Sequence, residues 1–141
     1  SIIKEHESII KEKETQMEEN YSSIPLLILD PYPVKIILRS LLSNSLDYTE
    51  QKGRVFLSLK KEDKDIVIQV DDDGCGIKKE DQKKIFEKFY RTEEAKKIKS
   101  YGTGLNMYIV KSILKKKKGS ISVKSPNEHN GTSVTVRFSV E

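Results

Sequence analysis

One stretch constrains this chain more than any other. Ile66-Val67-Ile68-Gln69-Val70 runs directly into Asp71-Asp72-Asp73-Gly74-Cys75-Gly76-Ile77. The β-branched, largely apolar first part reads as a strand. A strand that stops in three carboxylates and two glycines one residue apart ends either in a turn or in the wall of a site. Glycine admits φ > 0 and lets a ligand or another backbone approach where a Cβ would collide. A carboxylate held at a strand end can accept a hydrogen bond from an exocyclic amine. Asp-Gly and Gly-x-Gly also make ordinary turns, so the weight of the pattern comes from what flanks it.

The chain has 141 residues, enough for one domain with a real core. Hydrophobic residues make up 35% and charged residues 34%, as in a globular protein with a heavily charged surface. No apolar run approaches the roughly 18 residues that span a bilayer, and no signal-peptide pattern opens the chain. One cysteine excludes an internal disulfide and points to a reducing compartment. Cys75 reads as a small filler residue. With two histidines and one cysteine the chain cannot build a structural zinc site. A net charge of +4 suits an anionic ligand. Nucleic acid is not expected, because the aromatic residues are not interleaved with the basic ones. Ser1 opens the chain without Met and in helical character, so a fragment of something longer is expected.

Residues 2 to about 14 read as a charged helix carrying Ile2, Ile3, Ile9 and Ile10, a pattern that Met17 can join. Leu26-Leu27-Ile28-Leu29 reads as a strand. Asp30 then caps a helix through about residue 47, with Pro31 and Pro33 in its first turn. Its buried stripe is Val34, Ile37, Leu38, Leu41, Leu42, Ser45 and Leu46. Val55, Leu57 and Leu59 alternate with polar residues, and Lys61-Glu62-Asp63-Lys64 turns the chain into the strand at Ile66. Lys78 to Ile85 reads as a short helix and residues 92 to 103 as a loop. Gly104 to about Lys116 reads as an amphipathic helix with Leu105, Tyr108, Ile109, Ser112 and Ile113 on its inner side. Ile121 and Val123, then Val134, Val136 and Phe138, make two closing strands across a turn holding Pro126, Asn127 and Gly131. The order implies an α+β two-layer sandwich, a mixed sheet with helices on one face.

On the helix of residues 31 to 47, Ser40, Asn44, Asp47 and Tyr48 form a polar flank beside the apolar stripe. Such a seam suits a pocket wall. Asn44 can hold Mg²⁺ through its carbonyl oxygen while phosphates supply other ligands. Tyr101-Gly102-Thr103-Gly104-Leu105-Asn106 opens the second amphipathic helix, and free backbone N–H groups at a helix N-terminus make a phosphate site. It is not a Walker A loop, since no Gly-Lys-Ser/Thr follows.

Together these residues resemble the catalytic, ATP-binding domain of sensor histidine kinases, within the GHKL superfamily that also holds gyrases and mismatch-repair ATPases and shares the Bergerat fold. Leu41 to Thr49 resembles the N box, and Asp72-Asp73-Gly74-Cys75-Gly76-Ile77 the G1 box. Ile85-Phe86-Glu87-Lys88-Phe89-Tyr90-Arg91 resembles the F box, and Gly102-Thr103-Gly104-Leu105 the G2 box. The four stand in the family's order and cover the chain from Asp30 to Val140.

The resemblance implies that Asp72 accepts from the adenine amine, and that Gly74, Gly76, Tyr48, Ile77, Ile85 and Met107 shape the adenine pocket. It implies that Asn44 coordinates Mg²⁺, with Ser40 one turn before it, and that Arg91 brings charge to the terminal phosphates. Residues 92 to 101, with Lys96, Lys97 and Lys99, form an ATP lid. Gly102, Thr103, Gly104 and Leu105 lie at the phosphates. The implied reaction is transfer of the γ-phosphoryl group of ATP to a histidine on a separate dimerisation domain, in two-component signalling. Residues 1–20 are then the lead-in from that domain and 21–141 the catalytic domain. The implied partners are the dimerisation domain of a homodimeric kinase and a response regulator receiver domain. The setting is cytoplasmic, with membrane contact only through the rest of the protein.

Three positions depart from the family pattern: Ser40 stands where Asn is usual, Asp47 where Lys or His often meets phosphate, and Asn106 where the last glycine of Gly-x-Gly-x-Gly stands. They bear on catalysis and metal geometry more than on nucleotide binding. Two alternatives stay open: a non-catalytic nucleotide-gated binding module, and a stand-alone anti-sigma serine kinase of the same fold. His6-Glu7 lacks the proline and arginine context of an acceptor motif, so His6 reads as a solvated helical histidine, with the acceptor upstream of Ser1. His129 reads as a surface residue. The Lys115–Lys118 run closes a helix, where cations suit the dipole.

Overall fold

The computed structural model describes residues 2–21, 31–87, 106–126 and 131–139. The strand that ends in carboxylates, β3 (Asp65–Asp72), is the middle of a five-stranded sheet. On one side it pairs antiparallel with β2 (Arg54–Glu62), whose outer edge takes β1 (Gln16–Tyr21) in parallel. On the other side it pairs antiparallel with β5 (Ser133–Ser139), which in turn holds β4 (Ser120–Lys124). The order β1-β2-β3-β5-β4 makes the sheet mixed.

Strand side chains alternate, so register decides which face each apolar residue serves. Leu57 faces Val70, Ile68 faces Val136, and Val70 faces Val134. These residues, with Val55, Ile66 and Phe138, are buried on one face. The opposite face is mainly polar: Gln69 opposes Ser58 and Thr135, and Arg137 bridges Glu62 and Asp65 at 2.8 and 3.3 Å. The β2–β3 turn is shorter than expected, because pairing continues to Glu62↔Asp65 and only Asp63 and Lys64 turn. Asp63 takes φ 54, a left-handed value that Asp tolerates.

Helix α3 (Pro31–Tyr48) lies on the apolar face. Its expected stripe is buried throughout, with Ile37, Leu41, Leu42 and Leu46 almost wholly out of water. Burial of each such side chain favours folding by roughly 1.5–3 kcal/mol. Helix α4 (Asn106–Lys117) packs beside it, but through a different face from the one expected. Met107, Val110 and Leu114 are buried, whereas Tyr108 and Ile109 are each 36% exposed. Ser112 is also exposed and Ile113 only partly buried. The helix closes where expected: Lys118 takes φ 55, and the Gly119 N–H donates to Leu114 O at 2.9 Å.

Four further expectations change. The short helix at 78–85 is a series of turns followed by a single 3₁₀ turn at Lys84–Phe86. Ile85 is its one buried anchor, too little to sustain a longer helix. The N-terminal helix is two, α1 (Ile2–Glu5) and α2 (Glu7–Lys13), broken at His6. Met17 belongs to β1 and not to a helix. His6 is not a solvated residue: its Nε2 hydrogen-bonds Ser43 Oγ of α3 at 2.7 Å. Arg39 of α3 grips Glu5 at 3.0 Å, and Lys13 Nζ donates to the carbonyls of Leu46 and Thr49 at the helix end. Ile9, Ile10 and Met17 pack against the core. The segment Leu26–Leu29, Asp30, Asn127 and His129 lie outside the described residues.

Candidate nucleotide site

Alternation along β3 points Ile66, Ile68 and Val70 into the core, and so also Asp72. Asp72 is 2% exposed, a carboxylate at the end of an apolar row. Its two neighbours are spent elsewhere. Asp71 accepts from Gln69 Nε2 at 3.0 Å, and Asp73 Oδ1 accepts the Arg54 N–H at 2.8 Å.

Asp72 is held by backbone and hydroxyl donors. Its Oδ1 accepts the N–H of Gly74 at 2.9 Å and that of Thr132 at 3.2 Å, and Ser45 of α3 adds a side-chain hydrogen bond. Burial nonetheless pushes its carboxyl up to about 6, against the three donors and with a further push from Asp73.

The loop after Asp72 sits on the C-terminal end of α3. Cys75 N–H donates to Tyr48 O at 2.9 Å, and a Cβ on Gly74 would stand 2.0 Å from that same oxygen. Only glycine permits this approach. Gly76 takes φ 75, the left-handed region that glycine enters without strain. Cys75 packs partly buried against the core.

This contact brings the polar flank of α3 to the end of β3. Ser40, Asn44, Asp47 and Tyr48 are all buried there. Ile77, Ile85 and Met107, from three separate segments, belong to the adjoining core. The expected phosphate-end residues Arg91, Lys96, Lys99, Gly102, Thr103, Gly104 and Leu105 lie outside the described residues, as does Lys97.

Three residues at the site were not singled out for it from the sequence. Ser45 reads there as part of the apolar stripe, although a hydroxyl in such a row is itself a signal. Thr132 is buried and donates its backbone N–H to Asp72. Ser125 bonds to the loop end at Ile77. Neither of the last two stands in a local pattern that points to β3.

A mixed sheet with helices on one face, a buried carboxylate at the end of its middle strand and a glycine loop seated on the adjacent helix define an ATP-binding domain of a known architecture. Residues 29–141 match the family described as "Histidine kinase-, DNA gyrase B-, and HSP90-like ATPase", and the chain belongs to that family. Among curated proteins it is 32% identical over 115 residues to the sensor protein CiaH of Streptococcus pneumoniae, covering 82% of this chain and 26% of that protein. It is 32% identical over 138 residues to the sensor histidine kinase WalK of Bacillus subtilis, covering 96% and 22%. The histidine protein kinase SaeS of Staphylococcus aureus is 32% identical over 139 residues, covering 96% and 39%. The chain thus spans between 22% and 39% of the length of these relatives. The catalytic domain of histidine kinase ThkA shares the fold with a TM-score of 0.79 at 21% identity, over 98% of this chain and 87% of that one. The mycobacterial sensor histidine kinase MprB does so with 0.76 at 23%, over 98% and 92%.

Proposed function

We propose that this domain binds Mg-ATP and transfers its γ-phosphoryl group to a histidine on the dimerisation domain of a sensor histidine kinase. The buried, donor-held carboxylate of Asp72 carries the reading. Its three protein donors offset only part of its desolvation, so a ligand that brings a further hydrogen-bond donor is favoured there. The exocyclic amine of adenine is such a donor. Tyr48, Ile77, Ile85 and Met107 supply apolar surface for the ring, and Gly74 and Gly76 keep the approach open.

Among the described residues no three His, Cys, Asp or Glu side chains converge. A single neutral oxygen from Asn44 fits Mg²⁺, which takes few protein ligands and the rest from phosphates and water. When bound, Mg²⁺ offsets charge on the phosphates, including repulsion from Asp47. Ser40, one turn before Asn44, can hydrogen-bond a water or a phosphate oxygen through its hydroxyl. The roles of Arg91, Lys96 and Lys99 at the terminal phosphates, and of Gly102, Thr103, Gly104 and Leu105 in cradling them, rest on the family resemblance.

The acceptor imidazole is itself the nucleophile, so the domain contributes position and charge more than acid–base chemistry. The chain's relatives are much longer, which leaves room for the dimerisation domain that residues 1–20 would lead from. Among the described residues no helix is long and apolar enough to cross a membrane. We place the domain on the cytoplasmic side of a membrane-anchored homodimeric sensor, with a response regulator receiver domain as the next partner in the phosphorelay.

Incubating the domain with ATP, Mg²⁺ and its cognate dimerisation fragment is expected to yield phosphohistidine. A domain that binds nucleotide yet never phosphorylates that fragment overturns the transfer step and favours a nucleotide-gated binding module. Calorimetry on Asn44→Ala is expected to show ADP affinity that no longer responds to Mg²⁺. Unchanged Mg²⁺ dependence would sink the assignment of Asn44.

A further inference from the structure

The sheet edge opposite α3 carries a hydroxyl that uses all its hydrogen-bonding capacity on the candidate site. Ser125 follows β4. Its Oγ accepts the N–H of Ile77 at 2.7 Å and the hydroxyl of Thr132 at 3.2 Å, and donates to Gly131 O at 3.1 Å. A serine hydroxyl has one donor and two acceptor positions, so nothing is left over for solvent. These partners come from the end of the glycine loop and from the segment entering β5. Thr132 is the same residue whose backbone N–H holds Asp72 Oδ1, and whose carbonyl accepts the Asp72 N–H at 2.9 Å.

Gln82 completes the arrangement. Its Nε2 donates to Ile77 O at 3.1 Å and to Ser125 O at 3.2 Å. Both backbone groups of Ile77 are therefore tied to the Ser125–Gln82 pair, while the Ile77 side chain stays in the core. Through Thr132 and Ile77, this pair fixes the carboxylate and the apolar residue on either side of the loop.

We propose that Ser125, braced by Gln82, is a positioning residue that sets base selectivity at this site by holding Thr132, and through it Asp72, in register with Ile77. The inference rests on the reading of Asp72 as the adenine acceptor. Ser125 makes no contact with the base and acts through the two residues that do the reading.

The test compares ADP with IDP, which carries a carbonyl in place of the exocyclic amine, by calorimetry without Mg²⁺. The wild-type domain is expected to prefer ADP strongly. Ser125→Ala leaves an N–H, a hydroxyl and a carbonyl without their partner, and should narrow the ADP/IDP preference about tenfold. Ser125→Thr, which keeps the hydroxyl, should restore most of it. Gln82→Ala leaves Ser125 in place and should narrow the preference by about threefold, which keeps the proposal testable if Ser125→Ala does not fold. A purely structural role would lower the melting temperature and weaken both nucleotides alike. An unchanged ADP/IDP ratio in folded Ser125→Ala or Gln82→Ala overturns the proposal while leaving the adenine reading intact. A wild-type domain that does not distinguish ADP from IDP overturns the adenine reading itself.

Discussion

Helices α3 and α4 pack side by side on the same sheet face, yet their own sequences specify that packing to very different degrees. In α3 the charged residues Lys35 and Arg39 stand four apart and exposed, and the apolar positions fall together on the opposite side. One face is available for burial, and it is the one buried. In α4 the run Met107-Tyr108-Ile109-Val110 is apolar through a whole turn. A stripe at 3.6 spacing can be drawn through Tyr108 and Ile109 or through Met107, Val110 and Leu114, and the structure takes the second. A guide was present: Lys111 and Lys115 stand three and seven residues beyond Tyr108, and so share its face. Lys111 covers the Phe86 ring at 5.1 Å, so that face meets only the edge of the core. The comparison teaches that charge placed one turn apart identifies the outer face of a helix more surely than apolar residues identify the inner one.

The largest effect should come from α3. Leu42→Ala is expected to cost about 4–5 kcal/mol in chemical denaturation, the upper end for a buried leucine. A loss under about 1 kcal/mol would mean that the helix is not the centre of the core. Next is the carboxylate that α3 holds through Ser45. Folding raises the Asp72 carboxyl from 3.8 to about 6, so the folded chain keeps a proton that the unfolded chain releases between those values. This contribution is fully present below the unfolded value and is lost as pH rises through about 6. Asp72→Asn can still accept from Gly74 and Thr132 without carrying charge. Its stability relative to wild type should therefore increase between about pH 4 and pH 8 by on the order of 3 kcal/mol, measured on the nucleotide-free domain. A flat difference would contradict the burial of charge. The same variant should lose adenine recognition, whereas changes at Asp71 or Asp73 should not abolish it.

Leu114→Ala tests the inner face of α4 and should cost about 2–3 kcal/mol. The smallest effect is expected on the outer face, where Ile109→Ala should change stability by no more than about 0.5 kcal/mol. If Ile109→Ala destabilises as much as Leu114→Ala, the faces of α4 are exchanged.

The candidate site was legible in proportion to how much of it lies in single elements. Asp72 stands out from Asp71 and Asp73 by its spacing to Gly74 and Gly76. Asn44 and Tyr48 stand out because they flank a clean helical stripe. Thr132 and Ser125 did not, since their partners lie 60 and 48 residues away in the chain and no local period links them. Strand β1 escaped for a related reason. Gln16-Met17-Glu18-Glu19-Asn20-Tyr21 has no apolar alternation, and as an edge strand it is defined by backbone pairing to β2.

The sequence by itself determined the α+β class, the inner face of α3 and the strand that delivers Asp72, because each follows from a period within one element. Only the tertiary structure decided which side of α4 is covered, that residues 16–21 join the sheet, and that the carboxylate at the end of β3 is held jointly by α3 and the segment entering β5. Those outcomes are pairings between distant segments, and a helix or strand carries no record in its own periodicity of which neighbour will cover it.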